Sequence, residues 1–127
     1  MQMHQLLKNA PKRVAQDLVG KTIQVGRKRG TITKVLPRTE SDNANWLDTR
    51  PLFGSNPVNV YVAPYRGSHL LFLRTGARNT CVRIDGIMLA DGTKCNGPGQ
   101  VCKALNLSDE KAGNVEVDET VLKLSFS

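Results

Sequence analysis

Long apolar runs are missing from the sequence, and no stretch approaches the roughly 20 apolar residues that a membrane-spanning helix needs. The chain also lacks an apolar start, because residues 1–5 read Met-Gln-Met-His-Gln, which is unlike a secretory signal. These two absences argue against a membrane partner. They favour a soluble intracellular protein, in the cytoplasm and nucleoid or in the nucleus.

Cysteine is scarce as well. The chain has Cys81, Cys95 and Cys102, an odd number without the paired spacing of a metal site. We therefore expect buried or free thiols, no metal ion and no other cofactor. Hydrophobic residues make up 39% of the chain, which is low for a globular protein but is not a disordered composition. With 127 residues, a single domain spanning 1–127 can form a real core.

Acidic residues are rare in the first third of the chain. From Lys8 to Arg38 there are nine Lys or Arg residues and one acid, Asp17, whereas five acids cluster between residues 109 and 119. The net charge of +7 and the pI of about 9.7 favour a polyanionic partner. The basic first third points to nucleic acid, and a solvated basic surface without such a partner is the alternative.

Apolar spacing predicts a helix over residues 10–19, which Gly20 ends with a left-handed cap. Two strands that flank a charged turn follow, and Pro37 is expected to end the second of them. The predicted ranges of these strands and their turn are 21–25, 31–36 and 26–30.

The stretch from residue 38 to residue 51 is polar and has no periodicity, which is typical of a functional or mobile loop. It contains Trp46, the only tryptophan of the chain. We expect this side chain either to anchor the loop on the core or to stack on a base.

Further strands are predicted in the second half of the chain, over residues 58–62, 69–73, 80–84 and 121–126. Residues 64–68, Pro-Tyr-Arg-Gly-Ser, form the tip of a hairpin between the first two. Gly97-Pro98-Gly99 is a turn that leads into helical spacing up to residue 107. Free amides at a helix start suit an anion such as a phosphate, although a buried helix after a glycine turn is the alternative.

Residues 97–107, Gly-Pro-Gly-Gln-Val-Cys-Lys-Ala-Leu-Asn-Leu, resemble the Gly-Pro-(Gly/Ser)-Lys-(Leu)-Cys-Gln-Ala-Leu signature of the alkyladenine (3-methyladenine) DNA glycosylase family. Residues 14–21 and 52–73 resemble further family segments in the same order. The chain is therefore identified as a compact, divergent relative. The resemblance implies an α+β domain with a curved antiparallel β-sheet, flanking helices and a protruding hairpin. It also implies a monomer that binds double-stranded DNA on the minor-groove side and flips damaged or modified purines for excision in DNA repair.

The family inserts a tyrosine at a hairpin tip as a wedge into the duplex. Here Tyr65 to His69 resembles the family's Tyr-Gly-Met-His with Arg66 inserted, which implies that Tyr65 is the wedge. A solvent-exposed tyrosine in a turn is the alternative. The residues expected to bind nucleic acid are Tyr65, Arg66, His69, Arg83, Lys21, Arg27, Lys28, Arg29, Gly97 and Gly99.

The catalytic position departs from the family. The family reads Gly-Arg-Ile-Val-Glu-x-Glu-Ala-Tyr, and its second Glu activates the water. An ungapped register places Leu36 on this Glu and Arg38 on the stacking Tyr, and leucine cannot accept a proton. The family's pocket histidine and its discriminating asparagine fall near Leu47 and Leu73.

Three functions stay open on this basis. The protein keeps DNA binding and has lost excision, or Glu40 or Asp42 of the loop replaces the catalytic carboxylate of a DNA N-glycosylase. In the third, a basic RNA-binding or assembly protein reuses the fold.

Overall fold

Three helices and eight strands form the part of the chain that the computed structural model describes, which comprises residues 3–39, 51–53, 58–76, 79–118 and 120–126. The elements in chain order are α1 (Met3–Leu7), α2 (Pro11–Leu18), β1 (Thr22–Val25), β2 (Lys28–Arg38), β3 (Val60–Tyr65), β4 (Ser68–Arg74), β5 (Cys81–Met88), β6 (Lys94–Asn96), α3 (Pro98–Ala104), β7 (Lys111–Asp118) and β8 (Val121–Phe126). Glu40, Asp42, Trp46 and Leu47 lie outside the described residues.

All eight strands belong to one sheet, in the order β2-β1-β8-β7-β3-β4-β5-β6. Because β2 also pairs with β5, seven of the strands form a closed ring and β6 continues from β5. The prediction of a purely antiparallel sheet is wrong for one pair, since β1 and β8 run parallel from Thr22 and Val121 onward. Alternation along a strand reports its faces and not its direction, which the closure of the ring decides here. The protein is a single small α+β domain with a mixed sheet.

The predicted first helix is present as α2, one residue shorter at each end. Pro11 occupies its first position, where a missing N–H group has no intrahelical partner to lose. Val14, Ala15 and Leu18 are buried on one face. Gly20 has a φ of 94°, which a residue with a side chain rarely adopts, and the chain turns there into β1.

The second strand does not end before Pro37 as predicted, because β2 continues to Arg38. β1 covers β2 only as far as Thr31, so beyond this residue the β2 edge facing away from β5 has no partner strand among the described residues. A strand tolerates proline at such an open edge. Pro64 of β3 is in the same situation, since β7 pairs with β3 only over residues 60–62.

The two faces of the sheet carry separate apolar clusters. The larger cluster combines strand residues such as Leu71 and Ile84 with buried residues of all three helices. The smaller cluster lies on the other face and consists of Leu52, Tyr61, Ala63, Leu70, Phe72 and Cys81. Leu71 and Phe72 fall in different clusters because successive side chains of a strand point to opposite faces. The smaller cluster lies next to the candidate functional site.

Sequence periodicity did not predict α1, β6 or β7. α1 and β6 have five and three residues, which is too short for a recognisable period. β7 mixes small, charged and apolar residues, so its alternation is weak. Within the described part of the chain, none of the helices has the length and apolar character needed to cross a membrane.

Candidate functional site

The outer half of the β3–β4 hairpin leaves the neighbouring strands and packs on α3 instead. β7 pairs with β3 only over residues 60–62, and β5 pairs with β4 only over residues 72–74. Between these points residues 63–71 pair only within the hairpin, among the described residues. The predicted hairpin is therefore confirmed, and its outer half extends beyond the neighbouring strands.

A two-residue turn forms the hairpin tip. Arg66 and Gly67 have φ values of 48° and 78°, and a tight turn of this kind requires positive φ at both positions. Tyr65 is therefore the last residue of β3, opposite Ser68, and not part of a five-residue tip. The guanidinium carbon of Arg66 lies 5.2 Å from the centroid of the Tyr65 ring, so the two side chains stack.

The Gly-Pro-Gly turn enters a gap in the sheet next to this hairpin. β5 pairs with β4 through residues 81–83 and with β6 through residues 86–88. Between the two, the backbone carbonyl of Asp85 accepts a hydrogen bond of 2.8 Å from the N–H group of Gly97. The first turn of α3 thus begins beside the hairpin, where Gly99 approaches Ser68 next to the tip.

A cavity of about 340 Å³ lies between the hairpin, β5 and the start of α3. We name it the Tyr65 pocket. Its lining combines two aromatic rings, two guanidinium groups, a hydroxyl group and the Gly-Pro-Gly turn. The lining residues are Arg38, Tyr65, Ser68, Leu70, Phe72, Arg83, Pro98 and Gly99.

Arg83 is fixed in this pocket by Asp85, two residues further along β5 and on the same face. Its Nε and Nη2 atoms donate to the two carboxylate oxygens of Asp85 at 2.6 and 3.0 Å. These hydrogen bonds raise the pKa of Arg83 above its ordinary value. Asp85 is only 6% exposed, so its carboxylate is committed to holding the guanidinium.

Arg38, the last residue of β2, brings the second guanidinium group to the pocket. Its guanidinium carbon lies 5.8 Å from the centroid of the Phe72 ring. Beneath it, Cys81 is buried, and burial raises the pKa of this thiol to about 12, although Arg38 and Arg83 act in the opposite direction. The thiol is therefore protonated at neutral pH and is no nucleophile there.

No carboxylate lines the Tyr65 pocket among the described residues. Leu36, at the family's catalytic position, pairs with Arg83 across β2 and β5 and is 37% exposed. Leu73, at the position of the discriminating asparagine, is fully buried in the larger apolar cluster. The two tentative catalytic residues, Glu40 and Asp42, lie outside the described residues.

The structure brings only part of the predicted nucleic-acid set together. Tyr65, Arg83 and Gly99 line the pocket, Arg66 stacks on Tyr65, and Gly97 anchors the turn below. His69 is half-buried on β4, opposite Pro64.

The predicted basic turn lies elsewhere in the molecule. Arg27, Lys28 and Arg29 are exposed at the start of β2. Arg38 ends the same strand, about 30 Å further along at the usual rise per residue. Lys21 is half-buried just before β1. None of these four residues lines the Tyr65 pocket.

Sequence reasoning missed Ser68, Phe72 and Asp85. The contact of Asp85 with Arg83 could have been predicted, because an acidic residue two positions after Arg83 on a strand lies on the same face of the sheet as Arg83. Ser68 and Phe72 read only as hairpin residues, since their role depends on the approach of α3.

The described residues contain no group of three or more His, Cys, Asp or Glu that could hold a metal ion. All three cysteines are buried and unpaired, as expected. No protein-family model matches the chain, and neither does any curated protein to which the sequence was compared.

Proposed function

We propose that the protein binds double-stranded DNA from the minor-groove side and accommodates one extruded purine in the Tyr65 pocket, with base excision absent or very weak. One observation carries the proposal. Tyr65, Arg83 and Gly99 come from three separate segments of the sequence, each is expected to bind nucleic acid, and all three line one cavity.

The shape and chemistry of the cavity suit a base. Its volume of about 340 Å³ falls within the roughly 300–1,000 Å³ of small-molecule sites. Phe72 is fully buried, with the Arg38 guanidinium over its ring, so an extruded base stacks on that planar guanidinium and not on Phe72 itself. The guanidinium groups of Arg38 and Arg83 carry planar sets of N–H donors, which match the acceptor atoms of bases and phosphates.

The hairpin provides the wedge in this proposal. Its two-residue turn, Arg66 and Gly67, is exposed, and Tyr65 precedes it with Arg66 stacked on the ring. Inserted into the minor groove, the Tyr65 ring fills the space of the extruded base, and Arg66 contacts an adjacent phosphate.

Binding without excision follows from the absence of a general base, the group that would accept a proton from the attacking water. Leu36 stands at the family's catalytic position, and the pocket has no carboxylate among its described lining residues. Asp85 is nearby but is held by Arg83. Activation of a water molecule requires a proton acceptor. The described pocket has none, so it recognises a purine without cleaving the bond between the purine and its sugar. The DNA N-glycosylase alternative requires Glu40 or Asp42 to supply that acceptor.

Base-analogue fluorescence on a mismatched duplex tests the proposal. Wild type should unstack the analogue, and Tyr65→Ala should lose this signal and bind the mismatched duplex roughly 5- to 150-fold more weakly, the equivalent of about 1–3 kcal/mol for one stacked base. Tyr65→Phe is the matched control, because it keeps the ring and should behave as wild type.

Two results would contradict this function. One is an equal fluorescence signal for wild type and Tyr65→Ala on the mismatched duplex. The other is single-stranded RNA bound more tightly than any duplex, which would favour the RNA-binding alternative, because aromatic and guanidinium groups also hold splayed RNA bases.

A further inference from the structure

A second cavity, of about 450 Å³, lies at the opposite end of β4 from the hairpin tip. Arg74 ends β4, six residues from Ser68, and so stands about 20 Å along the strand from the tip. The lining residues are Leu7, Lys8, Asn59, Arg74, Thr75, Gly76 and Val115. Two of them are basic, and none of those described is acidic. We name this cavity the Arg74 pocket.

A relay of amide groups orients Arg74. Its Nη2 atom donates to Oδ1 of Asn59 at 3.2 Å, and Nδ2 of Asn59 donates to Oδ1 of Asn114 at 3.2 Å. Within the described part of the chain Arg74 forms no ion pair. Since the bond to Asn59 uses one of five guanidinium N–H groups, a half-buried cation with several remaining donors borders the cavity.

The wall of the pocket is closely packed. Thr75 is 5% exposed, its hydroxyl lies 2.6 Å from that of Thr80, and its N–H group donates to the Thr80 carbonyl at 3.2 Å. A Cβ atom on Gly76 would lie 1.8 Å from the Lys8 carbonyl oxygen, so the chain after α1 packs directly on this segment. The cavity is therefore preformed, which lowers the entropy cost of binding a ligand.

We infer that the Arg74 pocket binds a phosphate group. The guanidinium of Arg74 is the main ligand, since its planar fork matches two phosphate oxygens. Lys8 adds a second cation on a flexible, exposed stem, and the Thr75 hydroxyl donates one hydrogen bond when it accepts one from Thr80. A DNA backbone and a small phosphorylated molecule present the same group, so the inference is independent of the function of the Tyr65 pocket.

Titration of the isotope-labelled full-length chain with inorganic phosphate, at constant ionic strength in chloride, tests the site. Amide shifts should concentrate at Asn59, Thr75 and Gly76. Arg74→Gln should weaken phosphate affinity about tenfold or more, as expected for the loss of a charge-assisted hydrogen bond. Lys94→Gln is the matched control: it removes one positive charge from an exposed position on β6 that lines neither pocket and should change affinity less than twofold.

Shifts spread evenly over the basic surface, or equal losses in both variants, would overturn the inference. If Arg74→Gln loses the dispersed amide spectrum of the folded protein, Arg74→Lys replaces it. This variant keeps the charge but not the fork and should bind phosphate several-fold more weakly, so unchanged affinity would also overturn the site.

Duplex binding by the same variants distinguishes the two sources of phosphate. A backbone phosphate in the Arg74 pocket predicts weaker duplex binding by Arg74→Gln and a salt slope reduced by about one. A small phosphorylated molecule predicts unchanged duplex binding together with lost phosphate binding. Both results support the site. If phosphate does not shift these amide signals, the phosphate site is refuted, even when Tyr65→Ala still loses the fluorescence signal on a mismatched duplex. The two proposals can therefore fail separately.

Discussion

A Cβ atom on Gly99 would lie 2.3 Å from Oγ of Ser68 and 3.3 Å from its Cβ. The first turn of α3 and the strand β4 therefore meet at a point where a side chain would displace the Ser68 hydroxyl group. Ser68 pairs with Tyr65, and both line the Tyr65 pocket together with Gly99. This contact consequently sets the position of the hairpin relative to α3.

Gly99→Ala should disturb this contact. Because an added methyl group would force the Ser68 hydroxyl into another rotamer and crowd its Cβ, we expect a loss of about 1–3 kcal/mol in the free energy of unfolding, with weaker binding of mismatched duplex. Chemical denaturation measures the first effect. Adding Ser68→Gly should recover part of the loss, because it removes both close atoms. Strictly additive effects of the two substitutions would show that the contact does not exist.

Neutralising Arg27, Lys28 and Arg29 together to glutamine should weaken duplex binding for all sequences alike and reduce its salt dependence. The reason is that these exposed residues lie far along β2 from the Tyr65 pocket and can contact only the sugar–phosphate backbone. Base-analogue fluorescence of the saturated complex should stay as in wild type. Unchanged duplex affinity of the triple variant would remove this surface from the interface.

Excision of 3-methyladenine or hypoxanthine should be very weak, because the described pocket has no proton acceptor and general-base assistance is typically worth about 10²–10⁴-fold. Single-turnover excision on lesion duplexes, with protein in excess, measures it. Leu36→Glu alone should not restore full activity, since Arg38 and Leu73 also differ from the family's pocket.

If the loop over residues 38–51 supplies the general base instead, wild type should excise the damaged purine, and either Glu40→Gln or Asp42→Asn should abolish turnover. Robust excision that survives both substitutions would contradict both accounts. An inactive wild type that still unstacks a mismatch agrees with recognition without cleavage.

Stability should fall with rising pH above about 9. Burial raises the pKa of the Cys102 thiol from 9.0 to about 12, and Cys81 behaves alike. Between these values the unfolded chain releases the thiol proton and the folded chain keeps it. Full stability is therefore present below pH 9, and each thiol removes up to about 1.4 kcal/mol per pH unit above it. Cys102→Ala should show a shallower decline between pH 9 and 10.5 than wild type. Parallel curves would contradict burial of this thiol.

Several elements could be read from the sequence because their signals are local. The apolar spacing around Val14 and Leu18 predicts α2, and the alternation over residues 121–126 predicts β8 with its observed bounds. The hairpin also follows from local signals, since residues 64–68 separate two apolar runs, although its two-residue turn was not predicted. The prediction that Pro37 ends the second strand is wrong, because a proline ends a strand only where its missing N–H group would face a partner strand.

The sequence by itself determined the basic charge, the single domain and those elements whose apolar period matches a helix or a strand. Only the tertiary structure decided that β8 runs parallel to β1, that Arg83 is held by Asp85 beside Arg38, and that Gly99 meets Ser68. The physical reason is that periodicity and turn preference act over a few neighbouring residues. Strand direction, ring closure and the lining of a pocket instead depend on which distant segments bury their apolar faces together.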